Sequence, residues 1–284
     1  MPDTAVTLGA ALDAAAETLG AAGIPQPRRE ALRIWSGTWR IALGDAYLAR
    51  GQVIDESQAA ALEAAVARRA GGEPLAYVTG WTGFRRLLLR TDRRALIPRP
   101  ETEGLVDLVL TRVQRGRVAD VGTGTGCIAL SLAAEGGYDE VVAVDASTEA
   151  LALAGENARD TGLRVRLLAG DLTHPLAGSS FDVVVSNPPY LTDAEYATLD
   201  PAVREWEPQL ALPSGGDGLG VTARLLDDAR RVVRPGGWLA LEVDCARGAE
   251  AARRAKALGW RDPTLHHDLF GRIRYLVAQW RPQA

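Results

Sequence analysis

Apolar residues recur at two spacings along this chain, and the change from one to the other divides it. Between residues 7 and 70 the interval is helical. Leu8, Leu12, Ala15 and Leu19 fall on one face, Pro27 stands where a second helix can open and run through Leu43, and Asp55 with Gln58 has the pattern of a capping box for a third. Gly71-Gly72-Glu73-Pro74 ends that region, and from Tyr77 to Leu96 a mixture of β-formers, glycines and turn residues predicts a hairpin or short strands. The expected division is a helical domain over 1–72, a β-hairpin linker over 73–100 and a larger domain over 101–284.

From residue 101 helical windows alternate with short apolar runs. The spacing predicts helix 101–114, strand Val118–Val121, helix 126–135, strand Val141–Val144, helix 148–160, then strands Val165–Leu168 and Phe181–Val185. A long loop over 187–217 precedes helix 219–233, strand Trp238–Val243, helix 247–258 and two last strands near Thr264–His267 and Ile273–Trp280. Such alternation is the signature of βα units feeding one sheet, so the fold class is α/β.

Composition narrows the class without changing it. With 284 residues, 47% hydrophobic and 24% charged, the chain can bury a substantial core, and its net charge of −4 argues against a generally basic nucleic-acid binder. Cys127 and Cys245 form no Cys-x-x-Cys pair, which fits a reducing cytoplasm. His174, His266 and His267 read as structural or solvated, so no metal site is expected. No run of ~18 apolar residues predicts a membrane span, and Met1-Pro2-Asp3 does not read as the start of a secretory signal.

The chemistry-bearing motifs follow predicted strands. Asp120-Val121-Gly122-Thr123-Gly124-Thr125-Gly126-Cys127 stands where the first strand of the sheet turns into a helix, and its glycines let backbone approach a ligand. The G-x-G-x-G spacing departs from the dinucleotide fingerprint and favours an adenosyl cofactor without a pyrophosphate. Asp145 ends the next strand about 20 residues on, where a carboxylate accepts from both ribose hydroxyls; helix capping is left to Ser147. Asp171-Leu172 follows the third strand, where a carboxylate can accept from an adenine amino group and leucine can cover the ring; a turn aspartate is an equal reading.

Asn187-Pro188-Pro189-Tyr190 closes the set at the carboxyl end of a strand, where open α/β sheets bind ligands. Neither proline has an N–H and each fixes φ, so the loop offers rigid carbonyl acceptors. A planar NH2 group can give one hydrogen to the Asn187 side-chain oxygen and the other to the Pro188 carbonyl while its face lies against Tyr190. Alone, the tetrapeptide reads better as a proline-stiffened turn. In order and spacing with the glycine loop, Asp145 and Asp171, it matches a class I S-adenosylmethionine methyltransferase, a Rossmann-like fold.

The chain resembles the HemK/PrmC family of release factor glutamine methyltransferases from Gly71 to Val277. The resemblance is carried by Gly72 to Tyr77 with Gly80 and Phe84, by Leu96-Ile97-Pro98-Arg99-Pro100-Glu101-Thr102-Glu103, by Gly122 to Gly126, Val144-Asp145 and Ser186 to Tyr190, and by Val203-Arg204, Glu207-Pro208, Ala211-Leu212 and Asp268 to Arg272. It implies a mostly parallel seven-stranded sheet with helices on both faces, and S-adenosyl-L-methionine held by Gly122, Thr123, Gly124, Thr125, Gly126, Asp145, Leu172 and Asn187, to which the position after the third strand adds Asp171. It further implies that Asn187, Pro188, Pro189 and Tyr190 hold the substrate glutamine, with Asn187, Pro188 and Tyr190 carrying the chemistry. The helical domain and hairpin would grip a class 1 peptide chain release factor at its Gly-Gly-Gln loop, with the enzyme a cytoplasmic monomer contacting no nucleic acid directly. Leu172 stands where some members carry an aromatic residue, and Val243-Asp244 replaces the usual Ile-Gly or His-Gly.

Rival readings share part of this chemistry. An exocyclic adenine or cytosine amine is also a planar NH2 donor, and Arg85, Arg86, Arg90, Arg93, Arg94 and Arg99 set against Asp92 make a local basic stretch. A ribosomal protein glutamine methylase differs only in its partner. A non-catalytic adenosyl-binding protein is disfavoured by the intact Asn187 and Asp145.

Overall fold

The structure, a computed structural model, describes residues 6–176, 178, 180–212 and 214–282. The chain forms two compact units, one running through Trp81 and taking in Asp200–Trp206, the other comprising Thr82–Leu199 and the chain from Glu207 onward.

The first unit is helical. α1 (Leu8–Ala21) starts where Thr7 Oγ1 accepts from the Ala10 N–H, and α2 (Pro27–Trp39) opens on its proline. Contrary to the expected helix through Leu43, α2 stops at Trp39 because Arg40 turns left-handed at φ +53°, and α3 (Leu43–Leu48) starts afresh. α4 (Glu56–Ala70) carries the expected capping box, with Asp55 Oδ1 accepting from the Gln58 N–H at 2.8 Å and Gln58 Oε1 from the Asp55 N–H at 3.1 Å. Leu8, Leu12 and Leu19 of α1 pack with Ile34 and Trp35 of α2 and Leu62 and Val66 of α4 in a core of their own. α5 (Leu75–Thr79) is a short helix where strand or turn was expected, begun after Pro74 and ended by Gly80 at φ +77°.

A hairpin follows, of β1 (Trp81–Phe84) and β2 (Leu87–Arg90). Then come α6 (Thr102–Arg112), β3 (Arg115–Val121), α7 (Cys127–Glu135), β4 (Gly137–Asp145), α8 (Thr148–Thr161), β5 (Arg166–Ala169) and β6 (Phe181–Ser186). The segment expected as a long loop contains two short helices, α9 (Asp193–Ala197), capped reciprocally by Thr192 and Glu195, and α10 (Pro201–Arg204). α11 (Gly220–Asp228) ends sooner than expected and passes through a 3₁₀ turn into β7 (Val233–Glu242), because the residue before Pro235 resists helical geometry and Val233 already pairs with Phe181. α12 (Gly248–Ala257), β8 (Trp260–His267) and β9 (Ile273–Trp280) complete the chain.

Among the described residues seven strands form one sheet in the order β5-β4-β3-β6-β7-β9-β8, parallel except where β9 runs antiparallel to β7 and β8. Alternation along the strands divides their side chains between two cores. Ala119, Val121, Val184, Leu239 and Leu241 join Leu225 of α11 and Ala251 of α12, while Val118, Val183, Val185 and Ala240 join Leu105 and Val109 of α6 and Ile128 and Leu132 of α7. Helices therefore cover both faces, as expected. No helix among the described residues is long and apolar enough to cross a membrane.

Candidate active site

The sheet order determines where the functional loops meet. β4 and β6 flank β3 on opposite sides, so the chain leaves adjacent strand ends in opposite directions and opens a crevice at their carboxyl ends. The glycine loop after β3, Asp145 at the end of β4 and Asn187 after β6 all line one cavity of about 150 Å³ there.

Gly122, Gly124 and Gly126 adopt φ values of +74°, +56° and +83°, a region that a Cβ disfavours. The N–H groups of Gly122 and Thr123 both donate to the Val144 carbonyl, at 2.8 and 3.0 Å, fastening the loop to the end of β4. A Cβ on Gly126 would lie 3.2 Å from Leu130 Cδ1 and 3.3 Å from Ala154 Cβ, so this glycine also permits close packing of α7 and α8. Buried Asn157 ties the loop to the hairpin, donating to the Thr125 carbonyl at 2.9 Å and accepting from the Arg90 N–H at 2.7 Å.

Asp145 is oriented by backbone. Its Oδ2 accepts from the Gly124 N–H at 2.8 Å and its Oδ1 from the Ser147 N–H at 2.9 Å, while Ser147 Oγ caps α8 by accepting from the Ala150 N–H at 3.1 Å. Beneath the loop, Asp120 is fully buried. Its Oδ2 accepts from Thr123 Oγ1 and the Ala129 N–H, its Oδ1 has no partner among the described residues, and burial pushes its carboxyl up to about 7.

At the end of β6 the Ser186 hydroxyl donates to the Val121 carbonyl at 2.6 Å, holding the Asn187 loop against β3. Asn187 Nδ2 donates to Thr102 Oγ1 at 3.2 Å, and Thr102 Oγ1 donates to Glu242 Oε2 at 2.7 Å. Glu242 is 1% exposed, and burial pushes its carboxyl up to about 7 against the opposing pull of Thr102 and Arg274. Burial likewise raises the Tyr190 hydroxyl and the Cys127 thiol to about 12, so both stay protonated near neutrality.

Of the residues singled out in the sequence, Gly122, Thr123, Gly124, Thr125, Asp145, Asn187 and Pro189 line the cavity. Gly126, Pro188 and Tyr190 adjoin these in the chain but do not form its wall. Asp171 is ion-paired with Arg224, and Leu172 packs against the core on the α11–α12 face of the sheet; neither lines the cavity. His174 is exposed, with Nε2 3.5 Å from Asp228.

Residues for which the sequence indicated no cofactor or substrate contact also enter the site, and Arg99, expected to support it from within its motif, is among them. Arg94 to Arg99 form one wall, and Glu207, buried, binds the Arg99 guanidinium at 2.7 Å and the Ile97 N–H at 3.3 Å, drawing Pro208 to the cavity. In the sequence Thr102 stands out only as a member of the 96–103 motif, and Glu242 has no assigned role. The arginine-rich stretch is largely neutralised: Arg85 pairs with Glu135 and Asp107, Arg90 with Asp160, Arg94 with Asp92 and Glu156, and Arg99 with Glu207.

Comparison with known proteins places these features in context. Residues 101–210 match the methyltransferase small domain and residues 10–80 the PrmC N-terminal domain. The release factor glutamine methyltransferase of Deinococcus radiodurans is 41% identical over 274 residues, covering 94% of this chain and 96% of that protein. That of Moorella thermoacetica is 41% identical over 286 residues, covering 98% and 100%. Among solved structures, a methyltransferase from Pyrococcus furiosus superposes with a TM-score of 0.52 at 20% identity, over 68% of this chain and 89% of that one, a likeness of fold.

Proposed function

Because the chain belongs to the family of release factor glutamine methyltransferases, we propose that it transfers a methyl group from S-adenosyl-L-methionine to the side-chain amide nitrogen of the glutamine in the Gly-Gly-Gln motif of class 1 peptide chain release factors. The observation that carries this reading is the convergence of the glycine loop, Asp145 and Asn187 on one cavity.

The residues fit the cofactor. A Cβ built on Gly122 meets nothing nearer than 4.0 Å, leaving room for a ligand against the loop. Gly122 to Gly126 would lie against the cofactor and Asp145 would accept from its ribose hydroxyls. Asp171 and Leu172 follow β5, the neighbour of β4, and are proposed for the adenine end on that position alone. When bound, the cofactor supplies an electrophilic methyl group on a positively charged sulfur.

An amide nitrogen is a weak nucleophile because its lone pair is shared with the carbonyl. Asn187 Oδ1 and the Pro188 carbonyl would accept its two hydrogens, orient the lone pair and strengthen their hold as positive charge grows on nitrogen. No side-chain base is needed, since the alkylated nitrogen is acidic and loses its proton readily. The protonated state of Tyr190 agrees with a packing role against the substrate amide. In the helical unit, α3 leaves Tyr47 and Leu48 exposed, suited to gripping the protein substrate. Free Cys127 and Cys245 agree with action in the cytoplasm.

The test is incubation with labelled cofactor, a recombinant release factor and total RNA, followed by mass spectrometry. A methyl on the release factor glutamine is expected, and label in RNA alone would reject the reading. Asn187→Ala should lower turnover by about 100-fold or more while calorimetric cofactor affinity stays within a few fold; undiminished turnover refutes its role.

A further inference from the structure

The Asn187 carboxamide has two nearly isosteric orientations, and only one places an acceptor toward a substrate NH2 group. We propose that Thr102 and Glu242 are positioning residues that select it: Glu242 takes the single hydroxyl hydrogen of Thr102, so Thr102 can only accept from Asn187 Nδ2, which turns Oδ1 toward the substrate amide. The inference rests on the methyl-transfer reading of the same site.

The geometry supplies the direction of each bond. An ionised carboxylate only accepts, and a threonine hydroxyl has one hydrogen. With Glu242 Oε2 2.7 Å from Thr102 Oγ1, that hydrogen is committed, and the 3.2 Å contact from Thr102 Oγ1 to Asn187 must be filled by an N–H. Turning the carboxamide over would set its oxygen against a lone pair of Thr102, which is 2% exposed beside Glu242 at 1%. Protonated Glu242 would instead donate to Thr102, Thr102 would pass its hydrogen to Asn187 Oδ1, and the carboxamide would present NH2 to the substrate. The titration is shaped by every charged or titratable group facing Glu242: Glu101 before α6, Arg99 in the preceding segment, Arg274 and Tyr275 on β9, Tyr190 in the proline loop and Cys127 on α7. Burial dominates and raises the carboxyl to about 7, which puts the reversal within reach of ordinary assay conditions.

Three substitutions separate this role from mere packing. Thr102→Val, which keeps shape and loses the hydroxyl, should reduce kcat about tenfold or more with cofactor affinity within about threefold, whereas Thr102→Ser should stay near the unsubstituted enzyme. Glu242→Gln removes the titrating group and should abolish the acid limb of the kcat profile near pH 7. Retained kcat in Thr102→Val, or an unchanged acid limb in Glu242→Gln, overturns the proposal.

A second readout does not depend on the acceptor. The Asn187 side-chain NH2 resonances, assigned by their loss in Asn187→Ala, should shift with pH near the Glu242 midpoint and stop doing so in Thr102→Val and Glu242→Gln. If they do so while no release factor is methylated, the substrate assignment fails and the relay stands. If they ignore both substitutions, the relay fails whatever the substrate.

Discussion

At position 145 two backbone N–H groups already hold the carboxylate before a ligand is added, so its orientation costs nothing at the moment of binding. Removing it deletes a charged acceptor for a ligand and strands the Gly124 N–H in the loop. Asp145→Ala should therefore weaken cofactor affinity by about 10- to 100-fold, the worth of a hydrogen bond to a charged group. Titration calorimetry showing equal affinity would contradict the ribose assignment. Asn187 behaves differently, since its partner is Thr102 on α6, itself bound to Glu242 on β7, rather than its own loop. Its loss should register in turnover before binding.

At the scale of elements, β8 is an edge strand whose anchor is Trp260. The indole is 1% exposed, and its Nε1–H donates to the Leu226 carbonyl at 2.8 Å, in the last turn of α11 where carbonyls lack intrahelical partners. Trp260→Phe should lower stability by about 1–3 kcal/mol through the unpaired carbonyl and lost volume, read from the urea midpoint at unchanged slope. A midpoint equal to that of the parent chain would mean the strand is held by its ladder to β9 alone. The early end of α11 follows the same logic, because Val233 gains a partner in Phe181 by leaving the helix.

For the whole molecule, pH dependence reflects where charges are buried. Asp120 and Glu242 have carboxyls raised to about 7, above their ordinary values of 3.8 and 4.5. Between those values and about 7 the unfolded chain releases protons that the folded chain retains, so their contribution to stability falls as pH rises through that window. Urea denaturation should show a loss on the order of a few kcal/mol from pH 5 to pH 7.5, flattened in Glu242→Gln. A rise in stability over that range that Glu242→Gln leaves unaltered would show that neither carboxyl titrates as stated. Glu195 acts oppositely: its hydrogen bond with Arg247 holds it down at about 2, so its contribution is lost only as pH falls toward that value.

Sequence alone determined what depends on near neighbours: the change of period that separates a helical region from an α/β one, the capping of α4 and α8, the glycine turn after β3, and the proline-stiffened loop after β6. Each follows from constraints acting within a few residues, namely φ limits at glycine and proline, side-chain capping and amphipathic spacing. Tertiary structure decided what depends on distant pairing. Thr102 and Glu242 are 140 positions apart, the arginines of the 85–99 stretch find their carboxylates on α6, α7 and α8 and at Glu207, and Asp171 meets Arg224 on α11. Periodicity carries no information about such partners, because only the order of the strands brings them within hydrogen-bonding distance.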